Sequence, residues 1–434
     1  MKSHCLSYRL TALALATCTL APCAWAQSDA LANTDLLGRG EYLARIGGCA
    51  NCHTMPRDGI PFAGGRPVST PLGPIFSTNI TPDPVHGIGG YSIDDFKRVM
   101  REGTAPGNRH LYPAMPYTAY TKASDEDLKA LFSYLMRAVP ASTYAPPPTR
   151  LPFPFDQRWA LRFWKAAFLP SGLYVDKPGK DAEWNRGAYL VQSFGHCGSC
   201  HTPRGLAYQE RAYDETSRLF LTGMVNDDWH ATNLTGAQGA GLGRSDAAAI
   251  ARFLRTGHAD GKAAFGSMAE EVEQSIQHIS EADARAVAKY LKTLPAQREE
   301  GAYTPQALAA PVGPGPRNGD RTADVESVGA RVYTSFCAQC HQPDGKGVAE
   351  VFPRLVGNAS VLSDDATSLI RLVVQGGRGP RSASGPSPQV MPGFDSALTD
   401  VQTAQVLTYV RQSWGNRARP VTTNDVTTLK RKLR

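Results

Sequence analysis

The sequence predicts a mainly α chain of three tandem domains joined by Pro/Gly-rich linkers. Three observations predict it. A five-residue pattern occurs three times, as Cys49-Ala50-Asn51-Cys52-His53, Cys197-Gly198-Ser199-Cys200-His201 and Cys337-Ala338-Gln339-Cys340-His341. Each copy has a short helical pattern before it and a capped helical pattern closing its repeat. Two stretches, Pro146-Pro147-Pro148 and Pro311 to Pro316, fall between the copies and read as stiff spacers.

In chain order, residues 1–26 read as a signal peptide: Lys2 and Arg9 lead, Leu10 to Leu20 is apolar, and Ala24-Trp25-Ala26 is an A-x-A cleavage site. Lipoprotein processing at Cys23 is the alternative, with Pro22 a poor neighbour for it. The first domain is expected over 27–145, a Pro-rich linker with an amphipathic segment over 146–180, and the second domain over 181–300. A linker over 301–320, the third domain over 321–420 and a basic tail over 421–434 complete the chain. At 434 residues it has room for about three domains.

CxxCH is the attachment sequence of c-type haem. Its two thiols bond the ring covalently, and the adjacent histidine is aimed at the iron. A zinc site or a redox dithiol is the competing reading of a single copy. Three copies, 148 and 140 residues apart, point instead to three covalently bound haem c groups. Cys49, Cys52, Cys197, Cys200, Cys337 and Cys340 would hold them, with His53, His201 and His341 as proximal ligands. Of the nine cysteines, the other three (Cys5, Cys18 and Cys23) lie in the leader, so the mature chain keeps no thiol for a structural disulfide.

The frames match closely. Gly40-Glu41-Tyr42-Leu43, Gly187-Ala188-Tyr189-Leu190 and Gly329-Ala330-Arg331-Val332-Tyr333 precede the motifs. Ser124-x-x-Asp127, Ser280-x-x-Asp283 and Thr399-x-x-Gln402 resemble capping boxes, and each is followed ten residues after its cap by Tyr134, Tyr290 or Tyr409. Repeats one and two share Asn79-Ile80-Thr81 through Gly103 and Asn233-Leu234-Thr235 through Gly257; repeat three has a shorter stretch from Asn358 to Gly376. Turn chemistry and direct haem contact are both open to these positions. A first helix carrying CxxCH, with a last helix crossing it, is the layout of cytochrome c, so the fold expected is three tandem cytochrome c domains.

Methionine is the expected sixth ligand, since a thioether stabilises ferrous iron. Met115 in Pro113-Ala114-Met115-Pro116 and Met391 in Val390-Met391-Pro392-Gly393 precede the last helix by nine and eight residues. Met268 takes the same relative place in repeat two without the following proline, and His258 and His278 are its rivals. Met100 and Met136 fall on helical patterns and read as core.

Arg158 to Leu169 puts Arg158, Arg162 and Lys165 on one helical face, with Trp159, Phe163, Trp164 and Phe168 over the rest. A helix lying on a membrane and a helix docked on protein both fit this pattern. The tail Lys430 to Arg434 reads as a solvated basic end. The formal charge of +7 loses Lys2 and Arg9 with the leader, and six haem propionates against three ferric cores bring the oxidised holoprotein to about +2, so basicity is no argument for a nucleic-acid partner. No GxGxxG opening a βαβ unit, GxSxG elbow, HExxH or P-loop is present, which excludes the common substrate-oxidising and hydrolytic sites. No catalytic residue is assigned.

Taken together, the three CxxCH motifs, Arg186-Gly187-Ala188-Tyr189-Leu190 before His196-Cys197, Asn79-Ile80-Thr81-Pro82-Asp83 with Gly87-Ile88-Gly89, and Tyr112-Pro113-Ala114-Met115-Pro116-Tyr117 resemble the three-haem cytochrome c subunit of bacterial membrane-bound dehydrogenases. The resemblance implies a large partner subunit bearing flavin or pyrroloquinoline quinone that oxidises an alcohol, aldehyde or sugar acid, with a small third subunit beside it. This chain would take its electrons and pass them to ubiquinone at the periplasmic side of the cytoplasmic membrane. Some relatives carry a hydrophobic C-terminal anchor. This tail is polar, so attachment would rest on 158–169 or on a partner. A free periplasmic carrier to an oxidase, and a haem enzyme with an open second haem, are the alternatives.

Overall fold

The computed structural model describes residues 21–170, 172–305 and 321–433, with side chains from residue 34 and, in the last stretch, from residue 328. Residues 1–20 of the expected leader and the Pro311 to Pro316 spacer lie outside the described residues.

The fold is mainly helical. The principal helices are α1 (Ala21–Ile46), α2 (Ile93–Glu102), α3 (Asp125–Arg137), α4 (Leu161–Phe168), α5 (Ala182–Gln192) and α6 (Ala247–Thr256). They continue with α7 (Gly266–Gln274), α8 (Glu281–Lys292), α9 (Arg321–Phe336), α10 (Thr367–Gln375), α11 (Asp400–Gln412) and α12 (Thr423–Leu433). Among the described residues, strands are antiparallel pairs of two or three residues. Three helix pairs organise the chain: α1 on α3, α5 on α8 and α9 on α11.

The glycine of each frame explains how these pairs form. A Cβ on Gly40 would stand 2.1 Å from the Ala130 carbonyl oxygen, on Gly187 2.0 Å from that of Ala286, and on Gly329 2.5 Å from that of Gln405. Only a residue without a side chain lets the two backbones cross this closely. The next neighbour at all three crossings is the tyrosine ten residues past the cap: Tyr134, Tyr290 and Tyr409.

One cluster of buried residues runs from Leu43 to Leu294 through both of the first two repeats. The third repeat has its own, from Val332 to Leu429. Leu43, Leu128, Leu131 and Leu135 in the first cluster are almost fully buried, each contributing about 1.5–3 kcal/mol. Met100 is buried in that cluster and Met136 packs against it, as their helical spacing implied.

Two expectations are corrected. The stretch from Arg158 forms a short 3₁₀ turn and then α4, but its basic residues do not share one outward face. Lys165 is only 8% exposed and donates to the Glu102 and Gly103 carbonyls and to Thr104 Oγ1. Arg158 donates to the His110 carbonyl and covers the Tyr112 ring at 4.3 Å. The carbonyls at the C-terminal end of α2 attract Lys165 inward. The second correction concerns the tail. Val426 and Leu429 of α12 are buried, and Lys430 bridges Asp395 (2.5 Å) and Asp400 (2.8 Å), while Arg431 and Lys432 stay exposed, so this end is a packed helix with only part of its basic run in solvent.

Candidate haem sites

Each motif forms a one-turn helix: Cys49–Cys52, Gly198–His201 and Ala338–His341. The histidine that follows is held the same way in all three. Nδ1 of His53 lies 2.6 Å from the Thr78 carbonyl oxygen, His201 Nδ1 is 2.7 Å from that of Thr232, and His341 Nδ1 is 2.9 Å from that of Pro353. A carbonyl can only accept, so Nδ1 carries the proton and Nε2 is left as the metal-binding nitrogen. A ligand histidine that donates its other N–H to a carbonyl has its tautomer and ring orientation set in advance. Burial lowers the pKa of all three rings, that of His201 to about 4, which keeps them neutral.

A second bond holds the same histidines from behind. Gly64, Gly223 and Gly347 donate their N–H to the carbonyls of His53, His201 and His341 at 2.7, 2.7 and 2.9 Å. All three have φ between 65° and 88°, which favours glycine. Each also packs on the segment supplying the Nδ1 acceptor: a Cβ would meet Thr78, Ala231 or Phe352 backbone within 3 Å. Sequence reading missed these glycines and the three carbonyls.

The Asn-x-Thr segments serve turn chemistry. Asn79 accepts from Thr81 N–H and donates to the Ser142 and Tyr144 carbonyls; Asn233 accepts from Thr235 N–H and donates to those of Gln297 and Arg298. Each thereby ties the segment bearing the histidine's acceptor to the segment leaving the last helix. Asn358 differs: it accepts from Ser360 N–H and caps a one-turn helix.

Gly103 ends α2 and Gly257 ends α6, both left-handed. A tight hairpin follows, and the N–H of Leu111 and of Ala264 returns to the glycine carbonyl at 2.8 Å in each case. Met115 and Met268 both stand four residues beyond that return bond. Met115 lies in a bend, whereas Met268 lies in the first turn of α7 beside Ala264, Ala269 and Val272. Met391 sits in the hairpin itself, paired with Gly377. Of the rivals, His258 is buried with Nδ1 3.1 Å from the Thr256 carbonyl oxygen, and His278 Nδ1 lies 3.4 Å from Arg45.

The six cysteines are unpaired. Burial pushes the thiols of Cys49 and Cys197 up to about 12 and that of Cys337 to about 11, the reverse of a reactive or zinc-binding thiolate. Among the described residues no three His, Cys, Asp or Glu side chains converge on a metal-sized site. The donors therefore fit covalently held haem, with iron on Nε2, and do not fit zinc. Haem supplies a one-electron ferric–ferrous couple.

Similarity to known proteins agrees. A family model described as Cytochrome c matches residues 185–295 and 327–414. The gluconate 2-dehydrogenase cytochrome c subunit of Pantoea cypripedii is 41% identical over 97% of this chain and 95% of its own. This chain belongs to the family of dehydrogenase cytochrome c subunits. The cytochrome c subunit of alcohol dehydrogenase (quinone) from Gluconobacter oxydans (strain 621H) is 42% identical, covering 89% of this chain and 80% of that one. The fructose dehydrogenase cytochrome subunit of Gluconobacter japonicus is 38% identical, over 90% and 81% respectively. The protein is thus an electron-transfer cytochrome that binds haem c.

Proposed function

We propose that this chain carries three haem c groups in three tandem cytochrome c domains. His53 and Met115 would ligate the first iron, His201 and Met268 the second, and His341 and Met391 the third. The observation that carries this reading is the threefold recurrence of one histidine setting: Nδ1 on a carbonyl and the histidine's own carbonyl on a left-handed glycine. The electrons come from a large dehydrogenase subunit bearing flavin or pyrroloquinoline quinone, with a small third subunit alongside. They leave to ubiquinone. The donor is an alcohol, aldehyde or sugar acid, in keeping with the names of the similar proteins.

The chain acts in the periplasm, exported by residues 1–26, as a peripheral protein on the membrane. Among the described residues no helix is long and apolar enough to cross a membrane. Support for surface attachment comes from exposed aromatics around α4: Phe153 (81% exposed), Trp159 (57%) and Phe163 (58%), with Arg162 over the Phe163 ring at 4.6 Å. Aromatic rings beside a cation suit the headgroup layer. Trp164 is engaged internally, donating to the Ala207 carbonyl. Trp159→Ser with Phe163→Ser is therefore the change expected to release the protein from washed membranes; unchanged sedimentation counts against attachment here.

The deciding experiment isolates the tagged protein from detergent-solubilised membranes of its host, counts haem per chain, and asks which substrates reduce it. Three haems, a co-purifying flavin or quinone subunit and substrate-driven reduction are expected. A lone protein whose haems stay oxidised would overturn the subunit reading. The helical setting of Met268, unlike that of Met115 or Met391, favours one second reading, a haem enzyme with an open second iron. High-spin ferric haem at rest would support it, and three low-spin haems would exclude it.

A further inference from the structure

The capping residues of repeats one and two do something the third does not. In repeat three the box is closed within the chain segment: Thr399 Oγ1 accepts from Gln402 N–H, and the Gln402 side chain accepts from Thr399 N–H. In repeats one and two the N-cap serine still accepts from the third residue, but its own N–H goes elsewhere. Ser124 N–H donates to the hydroxyl of Tyr189, from repeat two, at 3.1 Å, and Tyr189 donates to Asp127 at 2.5 Å. Reciprocally, Ser280 N–H donates to the hydroxyl of Tyr42, from repeat one, at 3.3 Å, and Tyr42 donates to Asp283 at 2.6 Å. Each repeat inserts its tyrosine into the other's capping box.

Arginines complete the exchange. Arg39 binds Asp127 within repeat one at 2.6 Å, and Arg186 binds Asp283 within repeat two at 2.8 and 2.7 Å. At the equivalent positions the third repeat carries Val328 for the arginine, Arg331 for the tyrosine and Gln402 for the aspartate. It lacks every member of the lock.

The lock stands beside the haem motifs. Gly47, two residues before Cys49, offers its carbonyl to His196 Nε2 at 3.3 Å, and His196 directly precedes Cys197. Asn51, inside the first motif, reaches Glu271 of repeat two at 3.4 Å. Ser199, inside the second, shares Glu210 with Thr118 of repeat one. The two attachment helices therefore face each other across the locked interface.

We infer that Tyr42, Tyr189, Asp127 and Asp283 are positioning residues that fix the first and second haem motifs as one two-centre unit, so that electrons exchange between these two centres at a separation set by the lock. This rests on the three-haem reading above. It leaves the third centre outside the lock.

The test is Tyr42→Phe with Tyr189→Phe, made in the full haem-loaded chain. Haem per chain is counted first, since fewer than three in the wild type defeats the three-haem reading rather than this one. The expected result is full haem loading, a melting temperature lower by about 5 °C or more, and loss of the magnetic coupling between the first and second low-spin ferric signals, with the third signal unchanged. Coupling that persists while the melting temperature falls would show a merely structural role and overturn the inference. Should the double variant fail to fold, Tyr42→Phe alone is expected to weaken the coupling, and unchanged coupling in it overturns the inference equally. In the wild type the Ser124 and Ser280 amides are expected to exchange hydrogen together, with Thr399 independent of both.

Discussion

The first and second repeats bury leucines and aromatic rings against each other in one continuous core, with Tyr120 against Phe194 at 5.9 Å between ring centres. The third meets the second through polar groups. Arg244 donates to the Gly357 carbonyl, Arg354 N–H to that of Gly261, and Arg354 pairs with Asp260 at 2.8 Å. Buried Glu300 accepts from Ser363 Oγ and Asp364 N–H, and residues 302–303 pair with 416–417 as a short strand. The same three-part repeat is thus joined to its neighbours by two kinds of physics. Apolar burial is non-directional and scales with area, so it fuses cores. Polar docking depends on a few directional bonds whose net worth is small because water competes for them.

The helix crossings should break this comparison most strongly. Gly187→Ala drives a methyl into the Ala286 carbonyl, costing about 1–3 kcal/mol or more. Because repeat two shares its core with repeat one, the outcome expected on the proposed three-haem reading is loss of the first and second haem signals together. Gly329→Ala meets Gln405 instead and should disturb the third alone. Haem-resolved spectra during thermal unfolding would check both, and a first haem indifferent to Gly187→Ala would show that the shared core is not cooperative.

A smaller effect is expected at the polar junction. Glu300→Ala leaves Ser363 and the Asp364 N–H without their acceptor, a loss of about 1–3 kcal/mol. It should appear as an earlier, separate transition of the third repeat in calorimetry, with the fused pair melting where it did. A single unchanged transition would mean that all three repeats unfold as one.

The smallest effect is acid sensitivity of the fused pair. Burial works against ionised Asp283, but hydrogen bonds from Arg186 and Tyr42 outweigh it and hold its pKa below the ordinary carboxylate value. A depressed folded-state pKa contributes stability above the unfolded value of about 3.9, which is lost as pH falls through the folded one. Below about pH 4 the pair should therefore weaken, and Asp283→Asn should flatten that part of the curve. A variant with the same acid slope as wild type would place the sensitivity elsewhere.

Much of the architecture was legible in the residues. Helix-period leucines, caps and the Gly and Tyr of each frame marked both members of every helix pair, because local propensity and burial agree there. The spacing from the cap even located the tyrosine against which each glycine crosses. The histidine supports were not legible. Gly64, Gly223 and Gly347 follow their histidines by 11, 22 and 6 residues, so loops of different length deliver the same backbone groups and leave no common spacing. Backbone acceptors also carry no side-chain signature: Thr78, Thr232 and Pro353 share only a carbonyl. Lys165 misled for a related reason. Helical periodicity reports which residues share a face, and the carbonyls at the end of α2 decided which way Lys165 turned.

The sequence by itself determined the cofactor chemistry, since CxxCH demands two thiols and an imidazole at fixed neighbours, and it determined the helices that frame each site. Tertiary structure alone decided which repeats fuse. Tyr42 and Tyr189 read as ordinary members of their own helices, and only folding brings each to the other repeat's capping serine across 238 and 65 residues of chain. A hydroxyl that accepts one bond and donates another finds both partners in a neighbouring repeat, and no local pattern records that meeting.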